Sequence, residues 1–98
     1  MNEKRINKME KDLDIAIESI TRLKNDIELY KKDKEKIYEL SKYYGSKAWF
    51  KDKNDYEKNN KRIKAGVLGE DIPYDILIDM HNLALEMIEL GKEYLNNE

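Results

Sequence analysis

Cysteine is absent from this 98-residue chain, and proline and histidine occur once each. Without cysteine there is no disulfide, no thiol nucleophile and no thiolate metal ligand. A reducing, cytoplasmic location fits that usage and is the expected one. A single histidine, His81, offers no paired imidazoles for a metal and no base beside a nucleophile; a surface histidine is the plain reading. Glycines number only four and aromatics make up 9%, which excludes collagen-like and low-complexity classes. No apolar run is long enough for a membrane span. The first residues, Met1-Asn2-Glu3-Lys4-Arg5, lead into no apolar stretch, so neither a signal peptide nor a membrane anchor is expected. Gly66-Val67-Leu68-Gly69 lacks the lysine and hydroxyl residue of a phosphate loop. Neither a cofactor nor a metal is expected.

What is present is charge. Charged residues make up 41% of the chain, with 19 basic against 21 acidic side chains, for a net charge of −2. A global basic field for nucleic acid or anionic lipid is therefore missing. The distribution is uneven: residues 47–64 hold seven basic and three acidic side chains, whereas residues 65–98 hold one and eight. Attraction between these segments within the chain is the simplest reading. The basic set Lys47, Lys51, Lys53, Lys58, Lys61, Arg62 and Lys64, interleaved with Trp49 and Tyr56, could touch phosphates. Asp52, Asp55 and Glu57 dilute it, and nucleic-acid binding is not expected.

The apolar residues carry the fold. Residues 1–44 contain no Gly and no Pro. Within them Ile6, Met9, Leu13, Ala16, Ile20, Leu23, Ile27 and Tyr30 recur at alternating spacings of three and four, a heptad stripe. Lys34 interrupts it, and Ile37, Leu40 and Tyr44 resume it. One continuous helix of about 60 Å, at 1.5 Å per residue, is the favoured reading from Arg5 to Tyr44, with a bend near Lys31-Lys32-Asp33-Lys34 as the alternative. Gly45 reads as its C-terminal cap. Ser46 then caps a short helix, to about Asp52, that carries Ala48, Trp49 and Phe50. Residues 53–64 are polar and read as a loop or a weakly helical segment. Val67 and Leu68 form a small apolar plug between glycines. A last helix begins near Asp71 to Pro73, with the row Pro73, Ile76, Met80, Leu83, Met87, Leu90 and Tyr94. A second row, Leu77, Ala84, Ile88 and Leu95, widens its stripe, and Gly91 could permit close packing.

These elements predict a single all-α domain over residues 1–98. A long N-terminal helix packs antiparallel against a C-terminal helix, with a short Trp-bearing helix and a polar loop between, as in a coiled-coil-like hairpin. A last helix of 35–38 Å (about 25 residues) is too short to cover the whole first stripe. The residues left over, Ile6, Met9, Leu13, Ala16, Ile20 and Leu23, form a candidate interface. Self-association as a homodimer or higher homo-oligomer is expected, most simply a two-fold dimer with antiparallel helices, against the competing reading of an internal hairpin that hides the stripe within one chain. A heterologous protein partner could use the same surface.

Tyr43-Tyr44-Gly45-Ser46 with Trp49 and Asp52, followed by Gly66-Val67-Leu68-Gly69-Glu70-Asp71 and Tyr74-Asp75-Ile76-Leu77, resemble a family of small bacterial helical proteins, domain of unknown function 4298. The likeness extends from Arg5-Ile6 to Met87. It implies a helical fold and no activity, so no catalytic residue is carried over. Gly69 stands where a serine commonly precedes the Glu-Asp pair. That change, with Pro73 in the first turn, is expected to weaken the helix cap and move the helix start one or two residues later.

Two functional readings follow. The first is a non-enzymatic interaction or scaffold module that self-associates through its N-terminal helix. The second is a small regulatory protein that binds a ligand or peptide at the corner made by Tyr43, Tyr44, Gly45, Ser46 and Trp49, with Val67, Leu68 and Tyr74 filling against it. Tyr43, Tyr44 and Trp49 would be its stacking surface, although aromatics at a helix junction are more often core. Glu70, Asp71 and Asp75 could hold a divalent cation, but carboxylates at a helix start more simply oppose the macrodipole.

Overall fold

The computed structural model describes residues 1–59 and 63–98. Its elements are α1 (Glu3–Tyr43), α2 (Lys47–Asn59), a 3₁₀ turn (Gly66–Leu68) and α3 (Asp71–Asn97), with no strand among the described residues. The fold class is all-α, in the expected order of long N-terminal helix, shorter Trp-bearing helix and C-terminal helix. Two compact units can be distinguished, Met1–Ile37 and Tyr38–Glu98.

The first unit consists of most of α1. Asn2 caps it: the side-chain Oδ1 accepts the Arg5 backbone N–H at 2.9 Å. The helix then runs without interruption, as the lack of Gly and Pro predicts. Lys8–Asp12 (2.6 Å), Arg22–Glu18 (3.6 Å) and Lys31–Glu28 (3.1 Å) pair along its surface. Each such exposed pair contributes about 0.2–0.5 kcal/mol. No residue of α1 is buried. Ile6, Met9, Leu13, Ile20 and Leu23 are 44–60% exposed, and Ala16 is exposed with them.

The second unit begins with the last six residues of α1, from Tyr38. Gly45 has φ +77°, the left-handed conformation that ends a helix and that glycine adopts without a Cβ penalty. Ser46 starts the next helix by accepting the Trp49 N–H on its Oγ at 3.2 Å. α2 continues to Asn59, beyond the expected end near Asp52, so of the two readings of this stretch, loop or weakly helical segment, residues 53–59 take the helical one. Part of the physical reason is local. The stretch has no Gly or Pro, and Lys51 reaches Asp55 one turn on at 2.9 Å. Its polarity marks a solvated helix face rather than a break. Of the rest of that segment, Asn60, Lys61 and Arg62 lie outside the described residues, and Ile63 and Lys64 are not helical.

α3 corrects a second expectation. It starts at Asp71, not later. Glu70 precedes it in helical conformation with no side-chain cap, so the weak cap is real but does not shift the start. Pro73 sits in the first turn, where its missing N–H has no intrahelical role, and it is buried. Leu83, Met87, Leu90 and Tyr94 are exposed. Gly91 has open space around its Cα, so it mediates no close approach among the described residues.

The two glycines therefore respond to alanine with opposite signs. Gly45→Ala forces a side chain into the left-handed region and lowers unfolding free energy by about 1–2 kcal/mol. Gly91→Ala adds a better helix former in open space and raises it by about 0.5–1 kcal/mol. Denaturant titration of the two variants measures both.

Candidate functional site

The corner lies in the second unit and is organised by one side chain. Trp49, on the first turn of α2, is only 3% exposed. Its indole N–H donates to the Val67 carbonyl at 2.8 Å, which ties α2 to the 3₁₀ turn. A buried indole needs such a partner. Tyr44 meets the ring edge-to-face, with centroids 5.1 Å apart, and Phe50 does so at 4.9 Å. The Lys53 ammonium lies 5.0 Å from the ring centroid. The same ammonium pairs with Glu70 Oε1 at 3.1 Å, and the Tyr44 hydroxyl donates to the Glu70 carbonyl at 3.0 Å. The residue before α3 is thus held twice, once through its side chain and once through its backbone.

Tyr43 takes a different direction from its neighbour. Its hydroxyl donates to Asp52 Oδ2 at 2.6 Å, linking the end of α1 to the middle of α2. This hydrogen bond, with some burial and the nearby carboxylate charge, pushes the Tyr43 phenol up from 10.0 to about 12. Beside it lies an open hollow of about 380 Å³, bordered by Tyr43, Asp52, Tyr56 and Leu68. A second, more apolar hollow of about 430 Å³ is formed by Leu40, Val67, Ile72, Pro73 and Ile76.

The structure brings together most of the predicted corner. Tyr43, Tyr44, Gly45, Ser46 and Trp49 form it, and Leu68, 8% exposed, fills against it. Val67 contributes its carbonyl and is itself 40% exposed. Tyr74 does not fill the corner: it is 54% exposed, because one residue along α3 from buried Pro73 turns it to another side of the helix. Lys53 and the Glu70 carbonyl join the corner, although the sequence places Lys53 in the basic set and Glu70 in a carboxylate cluster rather than there. The interleaved Lys51-Asp52-Lys53-Asn54-Asp55 is the available signal for Lys53 at the corner, but it resembles any solvated face.

The rings of Trp49 are enclosed by Tyr44, Phe50 and Lys53, so the indole presents no open face for stacking. Of the basic set, Lys51 is engaged with Asp55 and Lys53 with Glu70, and Lys61 and Arg62 lie outside the described residues. Glu70 is paired with Lys53, and the described residues contain no group of three or more His, Asp or Glu side chains arranged to hold a metal ion. His81 is exposed on α3. No described helix is long and apolar enough to cross a membrane.

A family profile described as Domain of unknown function (DUF4298) matches residues 6–90. No curated protein and no solved structure matches the chain.

Trp49→Phe keeps most of the packing but leaves the Val67 carbonyl without its donor, and should destabilise the fold by about 1–3 kcal/mol. Denaturant unfolding followed by far-ultraviolet dichroism measures this. The Tyr43 shift also fixes a pH dependence. The unfolded phenol ionises near 10.0 and the folded one near 12. The contribution is therefore complete below the unfolded value and is lost as pH rises through the folded one. Asp52→Asn should remove the late-ionising tyrosine from an ultraviolet tyrosinate titration and abolish that loss.

Proposed function

The chain belongs to the DUF4298 family, whose model covers residues 6–90, and from that premise we propose that it is a non-enzymatic interaction module that self-associates through α1. One observation carries this reading. The 41-residue helix has no buried residue, yet it displays a regular apolar stripe from Ile6 to Leu23. A helix gains most of its stability in proteins by burying an apolar face, and surface ion pairs contribute little beside that. An apolar stripe of this length on a protein surface marks a binding face. A second copy supplies the matching stripe without invoking any other molecule, and two-fold pairing is the simplest closed arrangement. The corner around Trp49 has the role of a brace: its indole N–H and its two tyrosine hydroxyls already have partners within the chain.

Light scattering on a size-exclusion column, across a tenfold concentration series, tests the reading. The expected mass is at least twice 11.7 kDa. Leu13→Lys and Ile20→Lys should each reduce it to one chain, because each places a lysine in the seam, while the tryptophan fluorescence of the corner stays unchanged. A single-chain mass for the unmodified protein at every concentration would overturn the reading.

A further inference from the structure

Resting on the self-association just proposed, we infer that the second copy lies antiparallel on α1 in one particular register, with the two-fold axis passing at Glu18, and that the charges flanking the seam select it. In the heptad frame Ile6, Leu13, Ile20 and Ile27 occupy a positions, and Met9, Ala16 and Leu23 occupy d positions. Antiparallel helices place an a residue opposite a d residue. With the axis at Glu18, Leu13 meets Leu23 of the second copy, Ile20 meets Ala16, and Ile27 meets Met9. This alignment uses the whole clean part of the stripe and leaves Lys34 beyond the end of it.

The flanking e and g positions then decide between orientations. On one side of the antiparallel seam Glu10 faces Lys24 of the second copy, and Glu3 faces Lys31, which Glu28 already holds within its own chain. Ile17 meets its own counterpart on the axis, which gives this 56% exposed side chain an apolar partner. On the other side Arg5 faces Asp33, and Ser19 meets Ser19. One contact opposes the arrangement, Asp12 against Asp26, and it is eased because Lys8 already holds Asp12 at 2.6 Å. A parallel, in-register pair is worse. It sets Lys34 on its own copy inside the seam and lays Asp12 against Ile17. In its favour it has Arg5 with Glu10 and Asp26 with Lys31. Among the described residues, Glu10 and Lys24 make no ion pair within the chain, so both remain available to the second copy. Charge pairs at these positions set partner orientation more than raw affinity.

Asp26→Lys separates the two orientations by sign. In the antiparallel register it turns the opposing Asp12–Asp26 contact into an attraction at two symmetric places, and the dimer should tighten about five-fold in sedimentation equilibrium. In a parallel pair the same change sets the introduced ammonium against Lys31, and the dimer should loosen. A spin label on Asn7→Cys, at an outward position of the full-length chain, gives an independent reading. The antiparallel register separates the two labels by about 33 Å along the axis, at 1.5 Å per residue. Parallel helices bring them within roughly 15 Å. Tightening together with the long distance supports the register. A dimer that loosens, or that shows the short distance, overturns the register but leaves self-association standing. A monomer at all concentrations overturns self-association itself, and the register with it.

Discussion

The hydrogen bond from the Trp49 indole to the Val67 carbonyl is the constraint on which the second unit depends. Very little of this chain is buried: Trp49 and Leu68 are the buried hydrophobic side chains among the described residues, with Pro73 beside them in class. A core so small leaves stability resting on a few contacts. Trp49 concentrates them. It carries the largest apolar side chain on α2, and burying it requires a partner for its N–H. The 3₁₀ turn provides that partner at a carbonyl and also sends Leu68 inward. Without the bond, burying the ring would leave a polar group unsatisfied, so the bond and the burial require each other. Tyr44 and Lys53 extend the same logic to Glu70, which fixes the start of α3 even though that start has no side-chain cap.

The first unit has the opposite character. Its helix is capped by Asn2 and laced by surface ion pairs, but it buries nothing. Those features contribute tenths of a kcal/mol each, small beside the burial of a leucine or isoleucine side chain at about 1.5–3 kcal/mol. Under the proposed self-association, pairing of this stripe would stabilise the helix and assemble the protein in the same step, and stability would become a function of concentration.

Much of this is legible in the sequence because it rests on local rules. The run of 44 residues without Gly or Pro, with its three-four spacing, specifies one long helix. Gly45 and Ser46 mark the stop and the restart through a positive φ and a hydroxyl cap, both of which are properties of single residues. The extent of α2 is not legible, since a polar stretch with Asn and Asp has the composition of a loop. Contacts beyond its own sequence, such as Tyr43 to Asp52 and Lys53 to Glu70, help to hold it. Tyr74 departs from expectation for a related reason. Aromatic character suggests burial, but Tyr74 lies one residue along α3 from buried Pro73 and is 54% exposed.

The contrast between the units bears on where recognition resides. A site that recognises another molecule has to hold polar groups or apolar surface not already satisfied within the chain. The corner does not meet that condition at its centre. Its indole N–H, both tyrosine hydroxyls and the Lys53 ammonium are engaged internally, and among the described residues no buried polar side-chain atom lacks a partner. The helical stripes do meet it. Ile6 to Leu23 on α1, and Leu83, Met87, Leu90 and Tyr94 on α3, are exposed at the periodic spacing that fits another helix. Substitutions at the corner should therefore act on folding first, and substitutions on the stripes should act on assembly first. That division would fail if a corner substitution that leaves the fold intact changed assembly while the α1 stripe remained untouched.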